Sequence, residues 1–182
     1  MTKKNTAEIF TSTNSLKILS FLVENPEREF LGSEIQKATS LSRAGVYFAL
    51  RRLADEGYVS KTQKGRFYLY RAAYRKPLAR QFKILRNILL LEPLVTKLES
   101  ISKKIILFGS AGRGEDVSIS DIDLFVISPD PDSVKKILSS GKLSRKIQPI
   151  VMTASEWAEI KEKEKAFSDE VDKGITLWEG KE

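Results

Sequence analysis

Apolar residues recur at helical spacing over Leu16, Leu19, Leu22 and Val23, behind Asn14-Ser15, which can cap a helix, and ahead of Asn25-Pro26, which ends it. A second, shorter helix is expected from about Leu31 to Thr39, with Leu31, Ile35 and Ala38 inward and a turn at Ser40-Leu41 behind it. Ser42 opens a third helix reaching Glu56, with Val46, Ala49, Leu50 and Leu53 toward a core and Gly57 at the C-terminal cap. The period then changes: Tyr58 to Lys61, a turn over Thr62 to Arg66, and a strand over Phe67 to Tyr70 read as a β-hairpin. From Pro77 to Leu91 a helical pattern carries Phe82, Ile84, Leu85, Ile88, Leu89, Leu90 and Leu91 on more than one face, so this helix is expected to be buried on several sides. Pro93 is expected to break or kink it before Leu94, Val95 and Leu98 continue.

Farther along, Ile105 to Phe108 reads as a buried strand and Ile122 to Val126 as a second, ending at Ser128-Pro129. Asp132 to Ser140 has helical spacing with Val134, Ile137 and Leu138 inward, and Gly141 precedes a third strand over Arg145 to Met152. Thr153-Ala154-Ser155-Glu156 has capping-box spacing and starts a helix through Trp157 and Ile160, whose Lys161 to Lys165 run reads as a solvated face. Gly174 to Gly180, with Ile175, Leu177 and Trp178, reads as a short closing strand or a docking segment.

Composition narrows the chemistry. The 182 residues are 41% hydrophobic and 30% charged, ordinary for a soluble globular chain. No apolar run approaches the ~20 residues that cross a bilayer, and Met1 to Asn5 lacks the apolar core of a signal peptide, so no membrane partner and a cytoplasmic location are expected. Cysteine and histidine are absent, which excludes disulfides, thiol nucleophiles, the usual structural zinc sites and any histidine acid or base. Catalysis, if there is any, must rest on carboxylates and metal.

The net charge of +7 is unevenly spread. Residues 1–76 hold 14 Lys+Arg against 7 Asp+Glu, residues 77–100 hold 4 against 2, and residues 101–182 hold 13 against 15, which sums to the 31 and 24 of the whole chain. A basic front and a mildly acidic back divide the chain into a domain over 1–76, a connecting helix over 77–100 and a second domain over 101–182, the first of them suited to a polyanion.

The densest chemistry is in Phe108-Gly109-Ser110-Ala111-Gly112-Arg113-Gly114, followed by Ser120-Asp121-Ile122-Asp123-Leu124. Gly109-Ser110 permits a tight turn whose free backbone N–H groups suit phosphate oxygens. Strand alternation points Asp121 and Asp123 the same way and Ile122 and Leu124 into the core. Two like charges on one face call for a cation between them, and oxygen ligands of this kind suit magnesium together with substrate phosphates.

This spacing, Gly-Ser, ten residues, then Asp-x-Asp, resembles the polymerase-beta-like nucleotidyltransferases, especially the minimal ones. The resemblance implies a small α+β domain with a mixed sheet, a triphosphate on Gly109 and Ser110, magnesium on Asp121 and Asp123, and transfer of a nucleoside monophosphate to a hydroxyl, with ATP as the nucleotide. Arg113, in the phosphate loop, is open between contact with the triphosphate and solvent exposure. The family usually sets a third carboxylate on the later strand. Here Arg145 to Met152 holds no acid, and the matching position is Gln148, a neutral amide that cannot accept a proton. General-base assistance is worth about 10²- to 10⁴-fold, so its loss slows transfer and leaves binding intact. Glu115, Asp116 and Asp130 are nearby substitutes.

The front domain, helix, helix, helix, hairpin over roughly residues 12–73 with Leu53 to Val59 reading LADEGYV, resembles the winged helix-turn-helix of small transcription regulators. The whole is then α/β, a mainly helical winged helix followed by the α+β domain. Ser42, Arg43, Tyr47 and Arg51 would face a major groove of double-stranded DNA, and Lys61, Lys64 and Arg66 would meet phosphates or the minor groove from the wing. Two functions follow: a dimeric DNA-binding regulator controlled by a nucleotide-and-magnesium domain, or an active transferase placing AMP on a protein or small molecule, with the winged helix docking the target.

Overall fold

The computed structural model describes residues 12–140 and 143–180. Met1 to Asn5 and Gly141 therefore lie outside the described residues. The chain forms two compact units, divided between Lys83 and Ile84.

In the first unit, Thr13 rather than Asn14 or Ser15 caps helix α1 (Asn14–Glu24), its hydroxyl accepting from the Leu16 amide at 3.2 Å. Ile18 and Leu22 are fully buried and Leu19 and Val23 nearly so, giving the one apolar face that holds the helix to its neighbours. Leu31 belongs not to a helix but to the two-residue strand β1 (Phe30–Leu31), after which α2 (Gly32–Thr39) begins with the Leu31 N–H donating to the Glu34 carboxylate at 2.7 Å. Ile35 is buried as expected, whereas Ala38 is exposed, because one short helix offers a single inward row. Ser42 caps α3 (Arg43–Asp55) with its hydroxyl 3.1 Å from the Gly45 amide, and Val46, Ala49, Leu50 and Leu53 pack inward.

Both hairpin strands are longer than the apolar pattern suggested. β2 (Val59–Lys64) and β3 (Phe67–Ala72) pair antiparallel from Val59 opposite Ala72 to Lys64 opposite Phe67, so Thr62, Gln63 and Lys64 are strand residues. The turn is only Gly65-Arg66, with Gly65 at φ +60°, and a glycine of positive φ in the first central position lets a two-residue turn follow the strand twist. β1 adds to β3 through Phe30–Tyr70 and Leu31–Leu69, making a three-stranded sheet of order β1-β3-β2.

Helix α4 (Pro77–Leu98) continues through Pro93, so of the expected break or kink the break does not occur. Within the second unit it buries Ile84, Asn87, Leu91, Leu94, Val95 and Leu98, a row at three- and four-residue steps, while Leu85, Ile88, Leu89 and Leu90 are only half-buried. A 3-10 turn (Glu99–Ile101) leads to β4 (Lys104–Leu107), the short helix α5 (Gly109–Arg113), β5 (Ile122–Ile127), α6 (Pro131–Ser140), β6 (Ile147–Met152), α7 (Ala154–Lys163), α8 (Lys165–Asp172) and β7 (Ile175–Glu179). The tail is thus a strand, and the Lys161 to Lys165 run is not one helical face, since Glu164 leaves helical geometry at φ −123°, ψ 63° and separates two helices.

The sheet order is β6-β5-β4-β7, with β5 and β6 parallel and the other pairs antiparallel, so the second unit has a mixed sheet. Alternation sends Ile105, Leu107, Ile122, Leu124 and Val126 to a core shared with α4 and α6. Ile106, Phe108, Phe125 and Ile127 point the other way, to Trp157 of α7 and Val171 of α8. Both faces are covered, and Asp123, in phase with Phe125, stands on the α7–α8 side near the start of β5. Among the described residues no helix is long and apolar enough to cross a membrane.

Candidate functional site

The geometry starts where β4 stops. Phe108 donates its N–H to the Asp123 carbonyl at 3.2 Å, and α5 begins at the next residue. Gly109 has φ +65°, and a Cβ there would lie 2.2 Å from Asp123 Oδ2. Only glycine combines that backbone angle with that approach, so the Asp123 carboxylate rests against the backbone of the Gly109 turn. The amides of Gly109, Ser110 and Ala111 stand in the first turn, where no preceding helical carbonyl can receive them.

Asp121 lies just before β5 and Asp123 within it, and the structure brings the two together electrostatically. Burial pushes the Asp123 carboxyl above the usual range, the charge of Asp121 adds to this, Arg113 opposes it and Glu170 adds again. Asp121 accepts from Lys146 Nζ at 3.1 Å. Among the described residues there is no cluster of three or more acids, histidines or cysteines able to hold a metal ion. The pair fits magnesium in the form that takes two carboxylates and completes its shell with water and phosphate oxygens.

Parallel register sets Gln148 of β6 directly beside Asp123 of β5, so the expected third-acid position is occupied by an amide on the same sheet face. Of the nearby acids, Asp116 and Asp130 are committed elsewhere. Asp116 is 1% exposed and committed to Arg145 at 2.6 Å and to the Asn87 amide at 3.1 Å. Asp130 lies beyond the far end of β5, where it accepts from the Ser133 amide at 3.1 Å and hydroxyl at 2.6 Å, bonds that hold it below the usual carboxylate range. Glu115 is held by Arg113 at 2.9 Å.

Arg113 also reaches Glu170 of α8, a residue sequence reasoning missed. The available signal was the i, i+4 pair Phe167 and Val171, which marks the inward face of a helix the charged run concealed. Also unforeseen is the support beneath the loop: Asn87 Nδ2 donates to the Ala111 carbonyl at 3.0 Å, and Arg145 donates to the Ser120 carbonyl at 2.8 and 3.2 Å, immediately before Asp121.

On the first unit, Arg43, Tyr47 and Arg51 are all exposed on α3, with Arg51 facing Asp55 at 3.9 Å. Ser42 is occupied as the helix cap. A cleft of about 450 Å³ beside them is lined by Ser33, Gln36, Arg43, Tyr47 and Tyr70. Lys61, Lys64 and Arg66 are exposed on the hairpin, where Lys64 pairs with Glu29 at 2.8 Å, Lys61 sits 3.9 Å over the Tyr68 ring and Arg66 5.0 Å over Phe67. Phe48, Phe67 and Tyr68 are exposed aromatics that the sequence reading did not single out.

Neither the curated proteins nor the solved structures returned a match to this chain. The family model described as "Nucleotidyltransferase domain" matches residues 90–175, a span that holds the Gly109 turn, Asp121, Asp123 and all of β4, β5 and β6, so the second unit carries a nucleotidyltransferase-like domain.

Proposed function

We propose that this chain is a DNA-binding transcription regulator whose second unit binds ATP with magnesium and thereby controls the first. The observation that carries the nucleotide half is the close approach of Gly109 and Asp123: a turn with free amides and a partly buried carboxylate meet at one end of the β4–β5 pair, in a domain of nucleotidyltransferase type. Gly109 and Ser110 present amides to phosphate, Arg113 adds charge, and Asp121 and Asp123 hold the cation. Bound magnesium neutralises phosphate charge. Neutral Gln148 beside Asp123 favours binding over turnover.

Support for the DNA half comes from element order and surface charge. The helix, strand, helix, helix, hairpin order suits a winged helix-turn-helix, with α3 as the recognition helix and the β2–β3 hairpin as the wing. Between Glu56 and Glu92 the chain has nine Lys or Arg and no acid. DNA binding is expected to fall steeply with salt, by a log-log slope of about −0.9 per phosphate contacted. Replacing Arg43, Arg51 and Lys64 together by glutamate is expected to abolish it, and unchanged binding in that triple variant sinks the recognition surface. A homodimer reading two half-sites goes with this function, and sedimentation at micromolar concentration that finds monomer alone removes it.

One observation favours the second reading, an active transferase moving AMP to a protein or small-molecule hydroxyl. Glu170 brings a third carboxylate to the edge of the site from α8, held there by Arg113. Incubation with labelled ATP and magnesium decides: labelled product lost in both Asp121→Ala and Asp123→Ala makes the protein an enzyme, and no product in the wild type makes it a binding module.

A further inference from the structure

The hairpin carries a feature that neither folding nor phosphate contact explains. Val59 and Ala72 anchor its base in the core, but every residue from Lys61 to Tyr68 is exposed, so the arm projects from the first unit. On this arm Phe67 is 52% exposed, at the tip beside the two-residue turn. Arg66 lies against its ring, and the space where a Cβ of Gly65 would point is open. Arg66 covers part of the ring, and the half left in water takes no part in the buried core.

Charge bears on what could cover the rest. Residues 57–76 contain six Lys or Arg and no acid, which suits a polyanion. Duplex DNA is a polyanion that also offers apolar surface, the faces of stacked bases, to a ring inserted from the minor groove. The outer strand β2 carries Lys61 and Lys64, charges of the kind that keep an edge strand from pairing with another strand, which argues against docking by sheet extension.

We infer that Phe67 is a wedge that enters a base step from the minor groove and kinks the duplex, with Arg66 beside it on the phosphates; this rests on the DNA-binding reading above. Pyrimidine–purine steps unstack most easily, so the wing selects sites by deformability at a position where it makes no hydrogen bond to a base.

The test uses the full-length protein and two end-labelled duplexes of about 30 base pairs, alike except for a central TpA or GpC step. Energy transfer between the ends reports bending, and anisotropy reports binding. Wild type is expected to bend the TpA duplex and prefer it. Phe67→Ala is expected to lose the bend and bind that duplex about tenfold more weakly. Phe67→Leu, still an apolar wedge, is expected to keep most of both, and Arg66→Ala to lower the salt slope by about 0.9 while leaving the bend. Phe67 lies outside the buried cluster, so circular dichroism of all three variants should match wild type. Wild type that binds without bending, or Phe67→Ala that bends like wild type, overturns the wedge and leaves DNA binding standing. Wild type that binds neither duplex overturns the DNA reading and the wedge with it.

Discussion

Two polar clusters sit within the nucleotidyltransferase-like unit, a few residues apart in the chain, and their chemistry is opposite. In one, Asp116 is buried but matched: Arg145 and Asn87 surround its two oxygens, and the same arginine holds the Ser120 carbonyl. In the other, Asp121 lies just before β5 with the exposed Lys146 against it, and Asp123, within β5, is partly buried beside like charges from Asp121 and Glu170. The matched cluster is structural, because each buried polar group already has a partner. The unmatched one suits a cation and phosphates that would supply what the protein leaves unbalanced. A carboxylate's burial alone does not mark a site; the balance around it does.

Breaking the matched cluster should have the largest effect. Arg145→Met leaves Asp116 buried without its cation and is expected to lower unfolding free energy by about 3–5 kcal/mol, read by urea denaturation. Adding Asp116→Asn should restore part of that loss, as coupled neighbours are not additive. A loss in the double variant equal to the sum of the losses in Arg145→Met and Asp116→Asn alone would mean that the pair is not coupled. Gly109→Ala comes next. The positive φ and the approach of Asp123 predict a loss on the order of 1–3 kcal/mol together with loss of nucleotide binding, and a variant as stable as wild type would contradict the cradle.

Smaller and opposite in sign is the effect of Asp123→Asn. The folded-state pKa of Asp123 is raised, chiefly by burial and then by Asp121, so the ionised carboxylate destabilises the metal-free protein at neutral pH. As pH falls through the raised folded value toward the unfolded one, the folded state takes the proton first and stability from this group rises. Asp130 and Glu156, with lowered values, pull the other way, so the test is the difference between wild type and Asp123→Asn. The variant is expected to be the more stable at neutral pH, with the gap closing in acid; a less stable variant contradicts the like-charge account. Smallest is Glu170→Gln, an exposed partner of Arg113, which should change stability by less than about 1 kcal/mol and tighten nucleotide binding a few-fold by releasing the arginine.

Much of this was legible in the sequence because it is local. The Ser42 cap, the inward row Val46, Ala49, Leu50 and Leu53, the Thr153–Glu156 capping box, and the Gly109 turn followed by Asp121 and Asp123 are all set within a few residues of chain. Gln148 was legible as the position matching the third carboxylate, whereas its place directly beside Asp123 depends on the parallel register of β5 and β6. What was not legible depends on distant partners. The two-residue β1 exists only because Phe30 and Leu31 meet Tyr70 and Leu69. Asn87 and Arg145 hold Asp116 across 29 residues on either side, so nothing near Asp116 in the chain tells a buried ion pair from a loop acid. Glu170 was hidden because the break at Glu164 interrupts a charged run with no proline or glycine to signal it.

The most direct measurement is calorimetric titration of the full-length protein with ATP, with and without magnesium, beside Asp121→Ala and Asp123→Ala. Saturable binding that requires magnesium, and that disappears in both variants while their thermal unfolding stays near wild type, is the expected result. Binding that is indifferent to magnesium, or that survives in both variants, contradicts the assignment of Asp121 and Asp123 as the cation-holding pair of a nucleotide site.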